Sequence, residues 1–263
     1  MNYSMIFFII GWVFIIEAAL MAPSALVALL YSERSIWAFA AAIGLCLLLG
    51  VPLVRKQPAN KVFYAKEGCV TVALSWIVMS LMGALPFVFS GVIPSIVDAM
   101  FETVSGFTTT GASILKDVEV LPRCMLFWRS FTHWIGGMGV LVFLLCLLNL
   151  MKAESPGPSV SKLVPKVRST AKLLYGLYVA LSLLELALLL LGSMPLFDAL
   201  CTTFGTAGTG GFGIKNSSIG EYSAYIQSIV TIFMILFGIN FNVYFLLYMR
   251  KPKEALRCEE AGW

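Results

Sequence analysis

A chain of 263 residues, 59% of them hydrophobic and only 12% charged, with a mean hydropathy of +0.90, carries more apolar surface than a soluble core can hide. It reads as an integral membrane protein. The net charge of +4 says little by itself, and no nucleic-acid partner is expected. One His and six Cys, at 46, 69, 124, 146, 201 and 258 with no CxxC pair, argue against a metal centre or a disulfide framework, and no cofactor is expected.

In chain order, apolar runs long enough to cross a bilayer lie at Met5–Leu30, Ser35–Val54, Glu67–Ser90, Arg123–Leu150, Lys172–Met194 and Tyr222–Met249. The first is longer than a signal-peptide core and lacks a basic segment before it, so it reads as a retained span. Barrel strands alternate in pieces of roughly ten residues, whereas these runs are continuous. The expected fold is therefore an all-α polytopic membrane protein: two leading helices, then two helix–pore-loop–helix repeats. Its expected divisions are a helix pair at 1–60, a first repeat at 61–151, a cytoplasmic linker at 152–170, a second repeat at 171–250 and a cytoplasmic tail at 251–263. Met151–Lys172, with three prolines and five basic residues, is too polar to span and reads as an irregular loop.

Two half-crossings interrupt the pattern, near 95–113 and 196–213. Asp98–Ser113 and Asp198–Gly213 lie 100 residues apart; each opens like a short helix and closes in Thr and Gly. Each is too short and polar to cross, yet spans bracket it, which is the pattern of a re-entrant helix followed by a selectivity loop. A cation stripped of water needs several oxygen dipoles at once. Backbone carbonyls supply them if the chain leaves helical geometry, which Gly111, Gly208, Gly210, Gly211 and Gly213 allow, and Thr108, Thr109 and Thr110 can add hydroxyls. The half-helices, expected at Ser95–Ser105 and Leu196–Gly205, end at the loops and turn their negative dipole ends toward a cation there. One Gly/Thr run alone would read as an ordinary turn; two at matching positions read as a repeat.

Several polar residues call for a reading of their own. Asp98 and Asp198, with Ser95 and Pro195, suit the first turns of the half-helices. Glu102 has no counterpart at Thr202 and is expected to pair with Arg123 or Arg129. Arg129 and His133 lie four apart on one face and read as structural, as do the glycines at 136, 137 and 139. Glu17 and Glu185 are charged residues inside spans with no partner visible in sequence, and no role is assigned to them. Thirteen of the 18 basic residues fall in the segments 55–66, 152–172 and 250–257, so both termini are expected in the cytoplasm and the Thr/Gly loops outside.

These residues resemble the potassium-translocating subunits of the Trk/Ktr/HKT superfamily, most closely the TrkH type. Asp98–Ser113 followed by Phe127–Gly139 is similar to that family's first filter and following pore-lining helix. Lys152–Pro158 resembles its cytoplasmic linker, and Gly238-Ile239-Asn240-Phe241-Asn242 its helix break after the second filter. The resemblance implies potassium uptake across a bacterial inner membrane. It places ion-binding residues at Thr108, Thr109, Thr110, Gly111, Gly208, Thr209, Gly210 and Gly211, with K⁺ held at Thr109, Thr110, Gly111, Thr209, Gly210 and Gly211. The second filter glycine is Gly211 at the 100-residue offset and Gly210 if a one-residue gap intervenes. Gly238 and Asn240 become gating candidates. The implied partners are membrane lipid, K⁺ and a cytosolic nucleotide-binding regulatory subunit docking on the linker.

The family's pore unit has four repeats around one axis, and this sequence carries two. Three arrangements stay open: a homodimer around a twofold axis, a complementing second half from another chain, or a truncated, non-conducting half or scaffold. An enzyme is not expected, because the chain shows neither two His with a carboxylate, nor a Ser with a His base, nor paired intramembrane carboxylates.

Overall fold

The computed structural model describes residues 2–58, 65–153 and 160–248, and among them every regular element is a helix. The nine are α1 (Tyr3–Leu30), α2 (Ile36–Arg55), α3 (Ala65–Phe89), α4 (Ile96–Phe107), α5 (Arg123–Ala153), α6 (Val160–Leu191), α7 (Leu196–Ala207), α8 (Ala224–Gly238) and α9 (Phe241–Tyr248). Four of them, α1, α2, α3 from Glu67 and α6 from Lys172, are long and apolar enough to cross a membrane. The chain forms two compact units, Met1–Thr132 and His133–Trp263. The dividing point falls inside α5.

In the first unit, α1 and α2 pack closely because Gly11 and Gly50 meet. A Cβ on Gly50 would stand 2.9 Å from the Gly11 carbonyl oxygen, the close backbone approach that small residues permit in membranes. Trp128 on α5 is fully buried, edge-on to Phe39 of α2 and Phe107 of α4, and its indole N–H donates to the Gly83 carbonyl at 2.9 Å. One aromatic thus ties four helices of the unit together. Glu33, in the turn between α1 and α2, caps the start of α5, its carboxylate accepting from Arg123 N at 2.7 Å and Cys124 N at 3.0 Å. A carboxylate suits that position, where helix N–H groups lack partners and the dipole is positive.

In the second unit, Tyr178 of α6 is buried among Leu174, Phe233, Phe237 and Phe241, and its hydroxyl donates to the Trp134 carbonyl at 3.1 Å. A Cβ on Gly137 would stand 2.6 Å from that hydroxyl, so this glycine keeps the packing role expected of it. A second cluster, Leu189, Met194, Ala199, Ile226 and Val230, seats α7 between α6 and α8.

Two expectations need correction. The run Tyr222–Met249 is not one span: α8 ends at Gly238, Ile239 is extended (φ −68°, ψ 136°), and α9 begins at Phe241. The 15 residues of α8 reach only about 22 Å, short of the roughly 30 Å hydrocarbon core. The irregular loop expected at Met151–Lys172 is helical at both described ends, to Ala153 in α5 and from Val160 in α6. Lys and Arg bar a segment from the bilayer but are good helix formers, so polarity excluded a span and not a helix. The middle of the expected linker, 154–159, and the expected tail at 251–263 lie outside the described residues.

Candidate functional site

Each unit holds one short helix of the same length and register. Helices α4 and α7 both have 12 residues, Ile96–Phe107 and Leu196–Ala207, offset by 100 positions and two residues longer at the C-terminus than the sequence suggests. At about 18 Å neither can cross a bilayer. Ser95 caps α4 by accepting from Asp98 N at 3.4 Å, while α7 starts after Pro195 with no side-chain cap. Asp98 is therefore not the cap itself. Asp198 instead accepts from the Tyr222 hydroxyl at 2.9 Å, holding the far end of the second loop to the first turn of α7.

The loops repeat each other in backbone conformation. Thr109 and Thr209 both have φ +55°, and Gly111 and Gly211 have φ +75° and +77°. A β-branched residue in the left-handed region is a genuine outlier that persists only where its surroundings enforce it, and here the outlier recurs at the same place in both copies. In the first loop the N–H groups of Thr108, Thr109 and Thr110 donate to the carbonyls of Val104, Gly106 and Ser105 at 2.8, 3.0 and 2.9 Å. In the second, Gly208, Thr209 and Gly211 donate to Phe204, Thr206 and Gly205 at 3.3, 2.8 and 3.1 Å. In both loops the donors thus turn back onto the helix end, as in helix-closing turns that carry a left-handed residue. Among the described residues the carbonyls of Thr109, Thr110, Gly111, Thr209, Gly210 and Gly211 accept no hydrogen bond. The Thr108 hydroxyl lies 2.7 Å from the Val104 carbonyl and 2.8 Å from the Thr110 hydroxyl, so part of the expected hydroxyl wall is committed within the loop.

Each loop is braced from behind, by different chemistry. In the first unit Glu102 is buried and accepts from Arg129 Nε at 2.5 Å, from the Ser113 hydroxyl at 3.0 and 3.1 Å, and from Ile114 N at 3.1 Å. The expected pairing is thus with Arg129 rather than Arg123, which lies over the Tyr31 ring at 4.3 Å. In the second unit His133 is fully buried and stacks on Phe212 at 4.0 Å, with planes 10° apart. Its ring fills the space behind Gly210, where a Cβ would stand 2.3 Å from Cε1, and its carbonyl lies 2.8 Å from a Cβ on Gly208. Outside the helices, Lys215 donates to Glu221 at 2.7 Å, and that hydrogen bond holds the exposed Glu221 carboxyl below its usual range. An exposed pair of this kind contributes little.

Geometry also separates the two glycines that sequence left as alternatives. Nothing lies within 4 Å of a Cβ on Gly211, but its φ is left-handed; Gly210 has no unusual φ, but the His133 ring occupies its Cβ position. Gly211 is the conformational counterpart of Gly111, and Gly210 is a glycine for room. We expect Gly210→Ala to cost about 1–3 kcal/mol through overpacking, and His133→Ala to relieve most of that cost in the double variant. Gly211→Ala should gain nothing from the same second change. A thermal-unfolding double-mutant cycle on the purified protein measures the difference.

Gly238 and Asn240 lie together at the break between α8 and α9, with Gly238 exposed and the Asn240 carbonyl accepting from Val243 N at 2.9 Å. They stand apart in sequence from the second loop, at the far end of α8. The left-handed threonines, the His133 stack and the Tyr222–Asp198 bond were not read from sequence; only the Gly-Gly pair at 210–211 hinted at crowding.

Comparison with known proteins places these features in context. Residues 36–261 match the TrkH family, described as cation transport proteins. The chain is 36% identical over 259 residues to the Trk system potassium uptake protein TrkH of Salmonella typhimurium, covering 94% of this chain and 54% of that protein. It is 32% identical over 263 residues to the protein of the same name from Halomonas elongata, covering 95% and 55%. Among solved structures it superposes on the potassium transporter TrkH from Vibrio parahaemolyticus with a TM-score of 0.84 at 30% identity, covering 96% of this chain and 54% of that one. The chain spans about half the length of the curated relatives it matches.

Proposed function

Because this chain belongs to the TrkH family of cation transport proteins and is a helical membrane protein, we propose that it takes part in potassium uptake, its two Thr/Gly loops supplying two walls of a carbonyl-lined filter. The observation that carries this reading is the repeated left-handed pair, Thr109 with Gly111 and Thr209 with Gly211, which leaves a row of unclaimed carbonyls at the C-terminal end of each short helix. Such carbonyls can replace part of the hydration shell of a monovalent cation, and the negative end of the helix dipole adds to their field. K⁺ is then held by the carbonyls of Thr109, Thr110 and Gly111 and of Thr209, Gly210 and Gly211, with Thr108 and Gly208 at the helix ends. The break at Gly238 and Asn240 is the flexible point at which conduction is gated.

Two loops are two walls. This reading needs a second pair of walls from outside these 263 residues, and its partner is a cytosolic nucleotide-binding regulatory subunit. The test is K⁺ and Na⁺ uptake into a host lacking its own K⁺ uptake, with the oligomeric mass of the purified protein measured alongside. K⁺-selective uptake by an assembly with four walls supports the reading; no uptake in any assembly favours a non-conducting scaffold.

Orientation follows from the basic residues: 55–66, 151–172 and 250–263 cytoplasmic, 107–121 and 207–220 external. In a background without native cysteines, a membrane-impermeant thiol reagent on intact cells is expected to label Ser217→Cys and not Ser159→Cys. The opposite pattern would invert the topology.

A further inference from the structure

Two buried carboxyls have no work in the reading above. Glu17 on α1 and Glu185 on α6 are each 0% exposed, and none of their four oxygens has a hydrogen-bond partner among the described residues. Glu102 is the internal contrast: equally buried, but matched by Arg129, Ser113 and Ile114.

The two are related by the repeat. Helices α3 and α6 end in the same backbone bonds displaced by 102 positions: Ser90 N to the Pro86 carbonyl and Gly192 N to Leu188, then Gly91 N to Val88 and Ser193 N to Leu190. Residues 91 and 193 both carry left-handed φ, +75° and +62°. That register sets Gly83 opposite Glu185. Where the second unit has a glutamate, the first has no side chain at all, and the Glu17 carboxyl enters from α1 instead. Its Oε1 lies 3.2 Å from where a Cβ on Gly83 would stand, a point that is also 2.8 Å from Thr103 Cγ2 and 3.0 Å from Phe107 Cε2 on α4. In the second unit Glu185 faces Thr206 in the last turn of α7, whose hydroxyl is already given to the Thr202 carbonyl at 2.8 Å. Both units therefore place one carboxyl against the C-terminal half of a short helix, by different routes.

The charge state follows from the surroundings. Among the described residues, the titratable groups facing these carboxyls are Cys46 on α2 for Glu17 and Tyr178 on α6 for Glu185, and neither a thiol nor a phenol can supply a positive charge. An unpaired carboxylate in such a site is far costlier than the neutral acid. We propose that Glu17 and Glu185 are repeat-related proton-binding sites, each holding one proton against the last turns of a re-entrant helix. Kept neutral, they add no fixed charge behind the loops to the field of the carbonyl dipoles. This last consequence rests on the transport reading; the proton assignment does not.

Infrared spectra of the purified full chain at about pH 8, where exposed carboxylates are ionised, test the assignment. The wild-type chain is expected to show the carbonyl stretch of a protonated carboxylic acid. Glu17→Gln and Glu185→Gln should each remove about half of it and the double variant all of it, with helical circular dichroism unchanged because the amide is neutral and of the same shape. Loss of carboxylate absorption instead, or an acid band left undiminished by one of the single changes, overturns the assignment for that residue. If a variant does not fold, the wild-type band decides: its disappearance by about pH 6 overturns the proposal, and its persistence to about pH 8 supports it. The readout is a proton and not ion flux, so an acid band in a chain that shows no K⁺-selective uptake would remove the transport reading and leave this one standing.

Discussion

Serine in place of Gly111 or Gly211 is expected to reduce discrimination between K⁺ and Na⁺ in the conducting assembly by roughly 5- to 150-fold. The magnitude follows from the backbone. Both glycines sit at φ near +75°, where a residue with a Cβ is strained by about 1–3 kcal/mol, and that range corresponds to such factors in a binding equilibrium. The chain relieves the strain by turning the peptide, which moves the carbonyls of residues 110 and 111, or 210 and 211, off the ion. Space cannot account for the effect at Gly211, since a side chain there meets nothing within 4 Å. Ser95→Ala is the control, because it removes the α4 cap, worth about 1 kcal/mol of helix stability, without touching the loop. K⁺ and Na⁺ uptake, measured separately in the same host, gives the ratio. An unchanged ratio in both serine variants would take these glycines out of the filter.

How far the site could be read from sequence depends on how far apart its partners lie. The short helices were legible because a dozen apolar-faced residues between Pro or Ser and a Thr/Gly run leave few alternatives, and their 100-residue offset survives intact in α4 and α7. The loop glycines were legible as a class, but not individually, because sequence does not separate a glycine needed for its dihedral from one needed for room. Gly211 is set by its left-handed φ and Gly210 by the His133 ring 77 residues upstream. Thr109 and Thr209 were misleading as threonines, since β-branching argues against φ +55°, and only the turned-back N–H groups of the loop explain why they hold it. Long-range polar contacts were illegible for the same reason: Glu33 reaches α5 across 90 positions, and Asp198 reaches Tyr222 across 24. The break at Ile239 was legible only through the resemblance of 238–242 to the family's helix break and not from the apolar run, because hydropathy records whether a residue tolerates lipid and not whether its backbone stays helical.

The buried pair Glu102–Arg129 should give the largest stability change in the chain, and it separates folding from filter function. Arg129 is 4% exposed and Glu102 1%, so removing one partner leaves an unmatched charge in a dry site. Arg129→Met is expected to destabilise the protein by about 3–5 kcal/mol, read as a lower unfolding midpoint in detergent. Removing both charges, as Glu102→Leu with Arg129→Met, should recover most of that loss, since an apolar pair of similar volume is often no worse than a buried ion pair. Filter behaviour should not recover with it. The same carboxylate accepts from the Ser113 hydroxyl and from Ile114 N, and through them it ties the segment leaving the first loop to the middle of α4. The double variant leaves those two donors without their acceptor, so Thr109–Gly111 is held from one end only. A protein that regains its unfolding midpoint but not its K⁺ over Na⁺ ratio is the expected outcome. Recovery of both would reduce Glu102 to a counter-ion for Arg129, and a cost below about 1 kcal/mol for Arg129→Met would mean that the pair is solvated rather than buried. Thr202, which stands where Glu102 does in the other repeat, has no such latch to lose, and Thr202→Ala should leave both measurements close to those of the unaltered chain.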